Sequence, residues 1–98
     1  MDIHIELISE YGKRLGLTIK EWNIIKEGIL PKLFTTEYSL NEEGINICRR
    51  EIDGFFDNHH IFGPWKRDNT KRDYKRNYLG IFISGVVLTS KIKNNKLP

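Results

Sequence analysis

The chain has 98 residues, 30% of them charged and 39% apolar, which bounds it to one small folded domain and excludes a disordered polymer. The net charge of +3 is unevenly placed: Met1 to Asp57 carries −4 and Asn58 to Pro98 carries +7, so any phosphate-bearing partner must be met by the second part. A single cysteine, Cys48, rules out an internal disulfide. The longest apolar stretch, Tyr78 to Thr89, is twelve residues, short of the ~20 that span a bilayer. With no secretory pattern at the start, the expectation is a cytoplasmic protein without membrane contact.

In chain order, Ile5, Ile8, Tyr11, Gly12 and Leu15 repeat at helical spacing behind the early acids Asp2, Glu6 and Glu10. They predict a first helix, with Gly16 as its left-handed cap. Thr18 and Glu21 have capping-box spacing and open a second helix, whose apolar stripe is Ile19, Trp22, Ile25, Ile29 and Leu30 and whose stop is Pro31. Lys32 to Leu40 reads as a connector. Asn41 begins a third, amphipathic helix, with Ile45, Cys48, Ile52, Phe55 and Phe56 on one face and Arg49 and Arg50 on the other, ending near Asp57. Gly63-Pro64 and Asp68-Asn69-Thr70 are turn-prone. Tyr78 to Leu88, rich in Ile, Val and aromatics, reads as a buried strand, although Tyr74, Tyr78, Phe82, Gly85 and Thr89 also fit helical spacing. The resulting expectation is an α+β domain over residues 1–90: three helices, a basic β-hairpin and a buried C-terminal strand, followed by a polar tail over 91–98.

The strongest functional signal is Trp65 to Tyr78. Six of its fourteen residues are basic (Lys66, Arg67, Lys71, Arg72, Lys75 and Arg76), three are aromatic and two are acidic. Such a segment attracts phosphate, and its rings can stack on bases or pack the basic arms onto the fold. The bland alternative is a solvated basic loop.

Two motif-level resemblances give this signal a setting. Gly12, Leu15, Gly16, Leu17, Thr18, Trp22 and Ile25 resemble the helix-turn-helix of phage and bacterial regulators: a small residue where two helices cross, apolar residues on either side of a turn glycine, and two more packing the second helix back. That resemblance implies Thr18, Lys20 and Asn23 at the major groove and Lys13 and Arg14 near phosphates, with Glu21 and Glu27 opposing. The third helix and the basic segment are instead similar to the end of a winged helix. This implies Arg49 and Arg50 on the recognition helix and a wing turning at Asp68-Asn69, with Lys66 and Arg67 on one arm and Lys71, Arg72, Lys75 and Arg76 on the other.

Other chemistry lacks its residues. His59 and His60 with Cys48 and His4 do not make the paired spacings of a zinc site, and no histidine follows His60 to complete an HNH nuclease. No GxSxG, GxGxxG or phosphate-loop motif is present, and Cys48 lies on an apolar helix face. The expectation is therefore a non-enzymatic DNA-binding protein without cofactor or metal, a small regulator or accessory factor of the kind carried by phages, plasmids and mobile elements. The double-stranded DNA reading stands beside two others: RNA, and an acidic protein held by a basic aromatic surface with Trp65, Tyr74 and Tyr78 as anchors. A homodimer is compatible with each.

Overall fold

Three of the helix starts are written in their caps. Asp2 accepts the His4 N–H at 2.9 Å and begins α1 (Ile3–Arg14). Gly16, at φ +92°, turns the chain after α1, and the Leu17 N–H closes back on the Gly12 carbonyl at 2.9 Å. Thr18 then caps α2 (Ile19–Gly28) reciprocally: its hydroxyl accepts the Glu21 N–H, and Glu21 Oε1 accepts the Thr18 N–H. After Ile29 comes α3 (Leu30–Thr35), with Pro31 in its first turn, where a missing N–H is harmless. Asn41 accepts the Gly44 N–H and opens α4 (Glu42–His59), and a side chain at Gly44 would collide with the Ser39 carbonyl. His60, left-handed at φ 51°, ends α4, the Ile61 N–H reaching the Phe56 carbonyl. The fifth helix is α5 (Thr70–Asn95). The computed structural model describes residues 2–62 and 70–95, and the side chains of 2–62 and 74–92.

The core is helix against helix. α5 is its spine, burying Leu79, Ile83 and Val87 against Ile8 of α1, Cys48, Ile52 and Phe56 of α4, and Ile61. Tyr11 stacks on Phe82, and Lys75 lies beside Gly16, so α1 runs antiparallel to α5. Asp57 meets Arg76 while Ile52 meets Gly80, so α4 is antiparallel to it as well. Ile25, Ile29, Leu30 and Leu33 of the α2–α3 corner close the remaining side.

The α+β expectation is overturned. There is no strand among the described residues, and the whole of Tyr78 to Leu88 is helical. The apolar run misleads because α5 is apolar on two sides: one faces the core, while Tyr74, Tyr78 and Ile81 face out. The helix penalty of β-branched residues is a few tenths of a kcal/mol each, and burial of Leu79, Ile83 and Val87 at about 2 kcal/mol apiece exceeds it. The second arm of the expected wing, 71–76, is likewise helix, so the winged-helix architecture is absent; its turn and first arm lie outside the described residues.

Smaller corrections follow the same logic. α2 ends before Pro31, and Ile19 is 80% exposed, off the apolar stripe. α3 occupies the expected connector. On α4 the buried face narrows to Cys48, Ile52 and Phe56, with Ile45 exposed and Phe55 half-buried beneath His59. The polar tail begins inside α5, which continues to Asn95.

Candidate nucleic-acid interface

One end of the molecule gathers the α1–α2 turn, the residues after α4 and the first turns of α5. Lys75 is the residue that joins them. It is exposed on α5, and a methyl built on Gly16 would sit 3.3 Å from its ammonium nitrogen, so it lies over the turn that α1 leads into. Lys13 and Arg14 are exposed in the last turn of α1, just before that turn, and Lys13 also borders the groove between α1 and α2. Lys13 is only loosely engaged by Glu10, at 4.0 Å with both side chains largely in water. A cation of α5 thus reaches the turn that follows the basic end of α1.

Glu21, the acid in the first turn of α2, is occupied. Glu21 uses Oε1 in the capping box and Oε2 to accept the Phe62 N–H at 2.5 Å, fixing the chain after α4 to the start of α2. Its charge is directed at backbone donors, so its opposition to phosphate is weaker than its place on α2 implies. Thr18 is exposed, but its hydroxyl oxygen is engaged in the cap; Lys20 and Asn23 are exposed on α2.

The other basic residues divide. Arg76 is buried at 6% exposure: its guanidinium donates to Asp57 Oδ1 at 2.5 Å and to the Asp53 carbonyl at 3.2 Å, and lies 5.8 Å from the centre of the Phe56 ring. Its place is the α4–α5 seam. Arg49 is half-buried, donates to Asn77 Oδ1 at 2.5 Å, and keeps a buried Nε without a hydrogen-bond partner. Arg50 is exposed. Burial holds the Asp53 carboxyl above the usual carboxylate range, against the pull of Arg49 and Arg76. Lys66 and Arg67 lie outside the described residues, and Lys71 and Arg72 occupy described helical backbone in the first turn of α5.

The aromatic part of the signal takes a definite shape. Tyr74 and Tyr78, one turn apart on α5, meet edge to face with ring centres 4.3 Å apart, their hydroxyls hydrogen-bonded. That bond is the main reason the Tyr78 phenol is raised above its ordinary pKa, and neighbouring Tyr11 adds to it. Tyr11 stacks on Phe82 at 4.2 Å. An aromatic strip therefore runs from the basic end along the α1–α5 seam. Sequence reading noted the two tyrosines but not the strip, because Tyr11 joins it from another helix.

Burial disfavours the ionised forms of two groups elsewhere. Burial pushes the Cys48 thiol up to about 11, with Glu51 adding to the shift, and burial and the Glu51 bond raise the Tyr38 phenol as well. His59 stacks on Phe55, its Nδ1 2.9 Å from that residue's carbonyl. Among the described residues no cluster of His, Cys, Asp or Glu could hold a metal ion, and no helix is long and apolar enough to cross a membrane. Between α1 and α2 there is a groove of about 700 Å³, lined by Ile3, Leu7 and Trp22 and edged by Glu6, Glu10 and Lys26. No protein-family model matches the chain, and no curated protein or solved structure is similar to it.

Proposed function

We propose that the protein binds DNA through this basic end, as a small regulator or accessory factor without a chemical step of its own. The observation that carries the reading is the position of Lys75 over the Gly16 turn, which brings a cation of α5 to the turn that follows the basic last turn of α1. Cations converging from several elements can neutralise neighbouring phosphates, and the glycine turn lets a backbone approach closely. The α1–α2 corner adds Lys20 and Asn23 on an exposed helix next to that cluster. Fluorescence anisotropy with labelled DNA across a salt series tests the reading. Each neutralised phosphate contributes about −0.9 to the slope of log affinity against log salt for duplex, less for single strands. Reversing Lys13 and Lys75 to Glu is expected to weaken binding strongly and flatten that slope by one to two units. Unchanged affinity and slope overturn it.

A second reading, an acidic protein as the partner, is favoured by the exposure of Tyr74, Tyr78 and Ile81 on one face of α5. Absence of any nucleic-acid binding at low salt decides for it.

A further inference from the structure

The geometry points to single-stranded DNA as the preferred ligand, with bases stacking on the Tyr74–Tyr78 pair while the backbone passes Lys75 at the Gly16 turn. This rests on the DNA-binding reading above and specifies the form of DNA.

Three observations carry it. First, Tyr74 is 60% exposed and Tyr78 38%, large values for aromatic rings on a helix that also supplies the core. The face they share with Ile81 is turned away from α4 and is not needed to close the fold. Second, the rings are fixed in place. The edge-to-face contact and the hydrogen bond between the hydroxyls hold the two side chains together, so less side-chain freedom is lost when a base arrives. A perpendicular pair also presents the face of one ring where a parallel stack would cover it. Third, Lys75 lies between the tyrosines in sequence and beside the Gly16 turn in space, which puts phosphate-binding charge within one helical turn of the rings.

A duplex cannot use such a platform, because its bases already stack on each other and present only their edges in the grooves. Of the two features that suited a duplex in the sequence, the two-stranded wing has its second arm helical here, and the α1–α2 corner carries no aromatic platform of this kind. Unpaired bases expose both faces, and stacking on an aromatic ring tolerates any base. The strip continues one helical turn on from Tyr78 to Phe82, which stacks on Tyr11, and this gives the strand a direction along the α1–α5 seam.

The test uses the full chain and four labelled probes: a thymidine strand of about 20 nucleotides, longer than the ~4–16 of a typical single-strand site, its abasic equivalent, the matching uridine strand and a duplex. The intact protein is expected to bind the thymidine strand tenfold or more tighter than the abasic strand and tighter than the duplex. Replacing both tyrosines by Ala should remove the difference between thymidine and abasic strands and leave the salt slope in place. Replacing both by Phe should retain the difference. Tyr74→Ala alone, at the more exposed ring, serves if the double variant fails to fold, and should lose part of the preference. Equal binding of thymidine and abasic strands by the intact protein overturns the inference, as does a double Ala variant that keeps its preference. A uridine strand bound tenfold tighter than thymidine overturns the assignment to DNA. The reading beneath it fails separately, if reversal of Lys13 and Lys75 leaves all binding unchanged.

Discussion

Replacing Arg76 separates a structural cation from a phosphate-binding one. It sits in the most basic run of the sequence, yet it is buried, donating to Asp57 Oδ1 at 2.5 Å and to the Asp53 carbonyl at 3.2 Å with Phe56 beneath it. Breaking a fully buried pair costs about 3–5 kcal/mol. Here the Asp57 side chain is 47% exposed, so water takes up part of its charge once the arginine is gone. The exposure discounts the ion pair itself to about 1 kcal/mol. The bond to the Asp53 carbonyl and the ring contact add roughly 1–2 kcal/mol. Arg76→Met, which keeps the stem packed, should therefore lose about 2–3 kcal/mol, and Arg76→Ala about 3–4 with the packing gone. Urea unfolding followed by circular dichroism measures this as a lower midpoint at unchanged slope. A double-mutant cycle with Asp57→Asn should return a coupling of about 1 kcal/mol. A loss below about 0.5 kcal/mol, together with DNA binding weakened as much as by Lys75→Ala, would refute the assignment.

Three further outcomes follow from local chemistry. Thr18→Ala removes half of the capping box and should cost about 1 kcal/mol in the same unfolding assay; a neutral result would mean that Glu21 alone holds the start of α2. Gly85 lies mid-helix on α5 with nothing within 4 Å of where a Cβ would be, so Gly85→Ala should stabilise by about 0.5–1 kcal/mol, and a destabilised variant would show that this face is covered. Asp53 has its pKa raised by burial, so the folded state holds its proton more tightly than the unfolded state, for which the ordinary value is 3.8. The resulting destabilisation is absent below that value and grows as pH rises through the raised folded value. Asp53→Asn should accordingly raise the urea midpoint near pH 7 and do less at pH 4, and equal effects at both would refute the sign.

The caps were legible because their chemistry is local. Gly16, the Thr18–Glu21 pair and Asn41 each act within a few residues, and the structure uses all of them, while Asp2, read only as an early acid, proves to be the cap of α1. The state of Tyr78 to Leu88 was not legible, because a run apolar on two sides fits either period. What decides it is α4 and α1 lying along its length, and spacing within the run does not contain that information. The same holds for the site. Lys13 and Arg14 were visible as cations beside a turn, but that Lys75 reaches the same turn is set by the antiparallel packing of α1 on α5.

Helical geometry also changes what a basic run means. In the expected hairpin, Lys75 and Arg76 would point to opposite faces of a thin ribbon, both near water. On a helix they are about 100° apart, and α5 is flanked by two partners. One residue falls over the α1 turn and the other into the α4 seam, where Asp57 and the Asp53 carbonyl meet it. The count of basic residues in Trp65 to Tyr78 therefore overstates the charge that segment can offer a phosphate, while Lys13 and Arg14 restore some of it from another helix. Core packing sets where the helices that carry those cations lie before any ligand arrives. A substitution in the seam far from them, such as Ile83→Ala on the buried face of α5, would then act on binding through the relative placement of α1 and α5.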